Sequence, residues 1–221
     1  MQHGSTHPGV AGSELDRLLA RLADTPPADT RPVFAERLGH WLGWTGAIAL
    51  SAALNAAPAA PAARRRGAGS AEEADFQRVH AALAASIAAG PREPGASPSD
   101  FAPYRRHCIA LQQAMQDAIG ALRQRLRDAL AQRSAAGARL AAIDAVMDKA
   151  LATQERGLLG LVPLRLQAHF ERLQRRVGAG EDERWHTIFR DDMDQVLHAE
   201  LAHRLLPARG LLDTLNTHRP T

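Results

Sequence analysis

Cysteine, lysine and aromatic side chains are all scarce in this chain of 221 residues. Cys108 is alone, which excludes an intramolecular disulfide and any cysteine-built metal site. It falls on an apolar helical stripe, where a small buried thiol is inert. Lys149 is the only lysine among 27 basic residues. An Arg-for-Lys, Ala-rich composition reads first as the product of a GC-rich genome, so the pI near 9.9 is weak evidence for nucleic-acid binding. Five Phe, three Trp and one Tyr supply all the aromatic area. Much of the 45% apolar content is Ala, which buries little surface, so the core should be thin and spread along helices.

Other absences narrow the class further. No stretch alternates with the period of a strand, so the fold class is all-α. The N-terminus has neither a basic start nor an apolar centre, so no secretory signal is read and a cytoplasmic location is expected. Residues 46–63 are uncharged, yet Asn55, Pro58, Pro61 and a majority of Ala make a poor membrane span. No integral membrane segment is expected.

What the chain does have is charge sorted by segment. Residues 101–139 carry seven Arg against Asp117 and Asp128, and residues 156–176 carry five Arg against Glu171. Residues 181–200 carry seven acids against Arg184 and Arg190. Helices with such opposed charge attract and orient one another, or a charged partner.

Apolar periodicity places the helices. Leu15, Leu18, Leu19 and Leu22 make one face of a first helix, 13–23. Pro32 opens a second, Gly43 stops it, and Thr45 caps a short third over 46–54. These form an expected N-terminal helical cap, 13–54, with Trp41 and Trp44 at its centre. A disordered tail (1–12) precedes it, and a flexible Ala/Pro/Arg linker (55–69) follows. A helical bundle over 70–216, with a loop at 90–99, and a short tail (217–221) complete the organisation. Phe76, Val79, Leu83 and Ile87 mark the first bundle helix. Tyr104, Cys108, Leu111, Met115, Ile119, Leu122, Leu126 and Leu130 form a ladder whose seven steps cover 26 residues. That spacing is nearer a straight helix than a supercoil, so a bundle of long antiparallel helices is expected rather than an extended coiled-coil rod. The next stripe runs Leu140, Ile143, Met147, Leu151, Leu158, Val162, Leu166, Phe170, Leu173, Val177. Gly157, Gly160 and Pro163 predict a kink or break within it. A last helix, 181–206, buries Trp185, Phe189, Met193, Val196, Leu197, Leu201 and Leu205, and Pro207 is expected to interrupt it.

No catalytic constellation accompanies these helices. Asp194 with His198, and Glu200 with His203, share helix faces. In His-Ala-Glu-Leu-Ala-His (198–203), however, the two His are five apart, where a zinc-protease helix needs four. A nucleophile elbow and a phosphate loop are both missing. The chain is therefore expected to be non-enzymatic, with no cofactor and no metal. Arg123 and Arg127 lie one turn apart beside the ladder. They suit phosphates or a carboxylate-rich partner, and equally suit pairing with the acidic last helix. Trp41 and Trp44 are core residues by default, and good anchors for a protein partner if exposed.

Two passages resemble a known family. Phe34-Ala-Glu-Arg-Leu-Gly-His-Trp-Leu-Gly-Trp-Thr-Gly-Ala-Ile-Ala-Leu-Ser-Ala-Ala-Leu54 is similar to the N-terminal signature of an uncharacterised proteobacterial family, number 3348 in the domain-of-unknown-function series. Trp185-x-x-x-Phe189-Arg190-x-Asp192-Met193, Ala199-Glu200-Leu201, Arg204-Leu205 and Pro207-x-x-Gly210-Leu-Leu resemble its C-terminal signature. Gly46 stands where an acidic residue is common. The resemblance implies no activity or catalytic residues. It implies company with membrane proteins related to flagellar-stator and outer-membrane-protein-A-like components.

The expectation is thus a cytoplasmic helical adaptor or scaffold contacting a protein partner through Trp41, Trp44, Arg123 or Arg127. The alternative is a nucleic-acid-binding helical protein using Arg64–Arg66 and the Arg105–Arg139 face. The thin core favours self-association, which buries more apolar area than one chain can.

Overall fold

The computed structural model describes residues 14–23, 34–55, 68–91, 100–177 and 184–217. The expected tails, most of the 55–69 linker and the loop at 92–99 lie outside them. Seven helices make up these residues: α1 (Glu14–Ala23), α2 (Phe34–Asn55), α3 (Ala68–Ala88), α4 (Ala102–Arg133), α5 (Ala135–Leu159), α6 (Val162–Val177) and α7 (Arg184–Thr217). No strand occurs among the described residues.

The axis of the molecule is α4 against α7. Seven rungs of the α4 ladder, Cys108 to Leu130, are buried, and Tyr104 packs at its edge. On α7 the buried side runs from Phe189 to Leu215. Tyr104 meets Phe189 with ring centroids 5.1 Å apart, and Gln112 meets Glu200, so the two helices run parallel. α3 lies antiparallel to both. Its first turns reach Arg125 of α4 and Asn216 of α7 through Asp75 and Glu73, and it inserts Phe76, Leu83 and Ile87.

Ser134 alone joins α4 to α5. Its backbone is extended (φ −161°, ψ 160°), and its Oγ accepts from the Gly137 amide at 2.9 Å, capping α5. The reversal is tight enough that a Cβ on Gly137 would stand 2.2 Å from the Leu130 carbonyl oxygen. α5 then runs back along α4, and Gln112 Nε2 donates to the Leu159 carbonyl at 2.9 Å.

The expected break falls at Gly160–Leu161, after which α6 starts with Pro163 in its first turn. It shifts the apolar phase. Leu159 takes the buried place expected for Leu158, which is exposed, and Val162, Leu166 and Phe170 resume the stripe. Phe170 closes an aromatic cluster with Phe101, Tyr104, Trp185 and Phe189. α1 adds Leu15 and Leu22 against α6 and α7.

Two further expectations are corrected. Pro207 does not interrupt the last helix, which continues to Thr217. The lost amide bond is outweighed by the burial of Ala208, Leu211, Leu212 and Leu215 beyond it. The N-terminal helices α1 and α2 do not pack chiefly on each other either. α1 lies on α6 and α7, whereas α2 lies mainly on α5, and none of its residues 43–55 belongs to the main core. α2 bends at Gly43 (φ 56°), where its helix was expected to stop.

Candidate functional site

The polar chemistry of the bundle is concentrated in a few inter-helix clusters. The most enclosed surrounds Glu200, whose position one turn from Val196 and seven residues from Met193 puts it on the buried face of α7. Its exposure is 0%. Gln112 Nε2 donates to both carboxylate oxygens, at 3.1 and 3.0 Å, and Arg204, one helical turn along, donates from Nε at 2.9 Å. Arg204 Nη1 also lies 3.8 Å from Glu155. Every strong donor is thereby turned inward, linking α4, α5 and α7.

Arg123 and Arg127 form a second cluster. The sequence offers the acidic last helix as their partner, but they face Asp144 and Asp148 of α5. Arg123 Nη2 meets Asp144 at 2.7 Å and Nη1 meets Asp148 at 2.7 Å, while Arg127 Nη2 meets Asp148 at 2.8 Å. Arg127 Nε stands 3.3 Å from Asp144, an ion-pair contact without hydrogen-bond alignment. Two arginines and two aspartates, each pair four apart, thus clamp one hairpin. Beside the clamp runs a groove of about 570 Å³, lined in part by Met115, Ile119, Lys149, Arg156 and Arg204.

A third cluster ties α1 and α6 to α7. His169 Nε2 lies 2.8 Å from Asp192 Oδ2, and its Nδ1 lies 3.2 Å from Arg172 Nη2. An arginine can only donate, so Nδ1 accepts and the proton sits on Nε2 toward Asp192. Arg172 also donates to the Leu22 carbonyl of α1, and Arg21 returns to Asp192 at 3.5 Å.

His107 and Asp194 face each other across α4 and α7. Burial holds the His107 ring below its ordinary value, against the opposing pull of Asp194 and the Ile87 carbonyl. Burial likewise raises the Asp194 carboxyl, helped by Asp191 and opposed by His198, Arg190 and His107. Cys108 is fully buried. Burial, with Glu200 adding to it, pushes its thiol up to about 12, so it is neither thiolate nor accessible. No three His, Cys, Asp or Glu side chains converge as metal ligands among the described residues. Asp194, His198 and His203 serve no such cluster; His198 Nδ1 instead pairs with the Asp194 carbonyl at 2.8 Å.

Trp44 takes no part in these clusters. Trp44 is 83% exposed, which overturns its default place in a core. The side chain of Trp41 lies outside the described residues. Beyond Gly43, α2 turns Gly46, Leu50 and Ala53 toward the protein and Trp44 and Ile48 outward, and Leu54 is exposed near its end. The outward side carries no charge. Residues 1–217 match the family described as Protein of unknown function (DUF3348). The chain belongs to that family. No curated protein and no solved structure matches this DUF3348 chain. Among the described residues, no helix is long and apolar enough to cross a membrane.

Sequence reasoning missed the Asp144–Asp148 clamp and the His169–Asp192 pair. Both had a signal. Asp144 and Asp148 repeat the four-residue spacing of Arg123 and Arg127 on the adjoining helix. His169 sits between Leu166 and Phe170 on the apolar stripe, where a polar residue must find a partner.

Proposed function

We propose that this protein is a non-enzymatic helical adaptor of the cytoplasm, which holds a protein partner on the outer face of α2. The observation that carries this reading is the exposure of Trp44. It stands with Ile48, one turn along, on a charge-free helical face outside the main core. Tryptophan is the commonest anchor of protein interfaces, and an uncharged apolar face is costly to leave in water. The bundle behind it supplies a rigid mount, since α5 is clamped to α4 by Arg123, Arg127, Asp144 and Asp148. The family resemblance described above suggests that the partner belongs to a stator-like or outer-membrane-protein-A-like membrane assembly.

The experiment places a photo-crosslinking amino acid at Trp44 in the native host. One specific adduct is expected, and Trp44→Ala should weaken co-purification of that protein by about tenfold or more. Adducts no different from those at an exposed α4 position, such as Gln124, would refute the reading.

The nucleic-acid reading draws less support. Arg123 and Arg127 are occupied by carboxylates, so a phosphate would have to displace Asp144 and Asp148. Arg64–Arg66 lie outside the described residues.

A further inference from the structure

The break between α5 and α6 leaves an apolar surface that the core does not use. Leu158, Leu161 and Leu164 are 56%, 45% and 57% exposed. They follow one another at three-residue steps around the elbow, while Leu159, Val162 and Pro163 between them are buried. The inner side of the elbow is thus filled, and the three leucines are left exposed to water. Three leucines within seven residues differ from the scattered apolar side chains of an ordinary surface.

The charge around them is mostly positive, and Glu155, one turn before Leu158, faces Arg204 at 3.8 Å. Residues 156–176 carry Arg156, Arg165, Arg172, Arg175 and Arg176 against Glu171 alone. Arg172 is committed to Leu22 and His169, and Glu171 accepts from Gln167 at 3.0 Å. Arg156 and Arg165 bracket the leucines. Arg156 reaches only the Thr153 hydroxyl, at 3.4 Å, and neither arginine meets a carboxylate among the described residues. Arg175 lies three turns beyond Leu164 on the same side of α6.

We propose that this elbow docks on an anionic lipid surface. The leucines enter the boundary between headgroups and acyl chains, and Arg156, Arg165 and Arg175 meet lipid phosphates. A partner helix needs a groove to lie in. Leu158, Leu161 and Leu164 do not line the groove beside the clamp, and mobile headgroups can close around them. The elbow's apolar part is too short to do more than sit in the interface. The attachment is therefore reversible and falls as salt screens the arginines.

The test uses the full chain with vesicles of phosphatidylcholine containing about one third phosphatidylglycerol. The protein should float with these vesicles and not with pure phosphatidylcholine, and the bound fraction should fall as salt rises. The variant Leu158→Gln/Leu161→Gln/Leu164→Gln should lose flotation while keeping its helical circular dichroism, because the leucines lie outside the core. Arg165→Gln should weaken binding by about fivefold. As a second measurement, Leu161→Cys carrying an environment-sensitive dye should shift to the blue on anionic vesicles. The buried thiol of Cys108 leaves that label selective. No flotation, equal flotation on neutral vesicles, or an unshifted dye would overturn the proposal. So would a triple variant that floats like the parent, or whose only change is loss of self-association or of an acidic protein partner.

Discussion

Glu200 is a fully buried charge that holds Gln112 of α4 and Arg204 of α7 together. Removing one member of a buried pair strands the other, so Glu200→Ala should cost about 3–5 kcal/mol, read as a lower denaturant midpoint. Replacing both charges, with Glu200→Leu and Arg204→Met, should recover most of that loss. The glycines give a second contrast. Nothing lies within 4 Å of a Cβ placed on Gly120, so Gly120→Ala should stabilise by about 0.5–1 kcal/mol through helix propensity. Gly137→Ala offers the same propensity but meets backbone at 2.2 Å, and chemical denaturation should show it destabilised by about 1–3 kcal/mol. His107 predicts a pH effect. Its folded value lies below 6.5, so between the two values the unfolded chain binds more protons and stability drops as pH falls through that window. Melting curves at neutral and mildly acidic pH should differ less in His107→Gln than in the parent.

Between elements, the α4–α5 clamp should behave as a coupled unit. A double-mutant cycle on Arg123→Ala and Asp144→Ala should give a coupling of about 1–3 kcal/mol, because both side chains are nearly enclosed. Helix identity was legible wherever one apolar period ran unbroken. The α4 ladder from Tyr104 to Leu130 is the clear case, and every rung lies in or against the core. Legibility failed where local rules met tertiary packing. Pro207 carries a strong stop signal, yet the leucines beyond it have a core to fill and the helix continues. Leu158 matched the stripe by count, but the break at Gly160 advanced the phase by one residue. The clamp was hidden for another reason. Summing charge over whole segments matched α4 to the acidic start of α7, while ion pairs are decided by the nearest helix, and that is α5. Of the candidate contacts, Trp44 is exposed and not in the core that its apolar character suggested by default.

For the whole molecule, the uneven distribution of buried side chains predicts uneven opening. α2 rests mainly on α5, and none of its residues 43–55 belongs to the main core, whereas α4 and α7 fill its centre. Amide hydrogen exchange should therefore release α2 at a lower free energy than α4 or α7, in a separate step. Uniform protection across the three helices would contradict that order. The placement of α7 also bears on how the protein is made. α4 and α5 can pair as soon as both have left the ribosome, since only Ser134 separates them. The other wall of the core, from Phe189 to Leu215, emerges afterwards. Until then the side of the α4 ladder that α7 covers faces water, and a stalled or prematurely terminated product would present it to chaperones and proteases as unfinished.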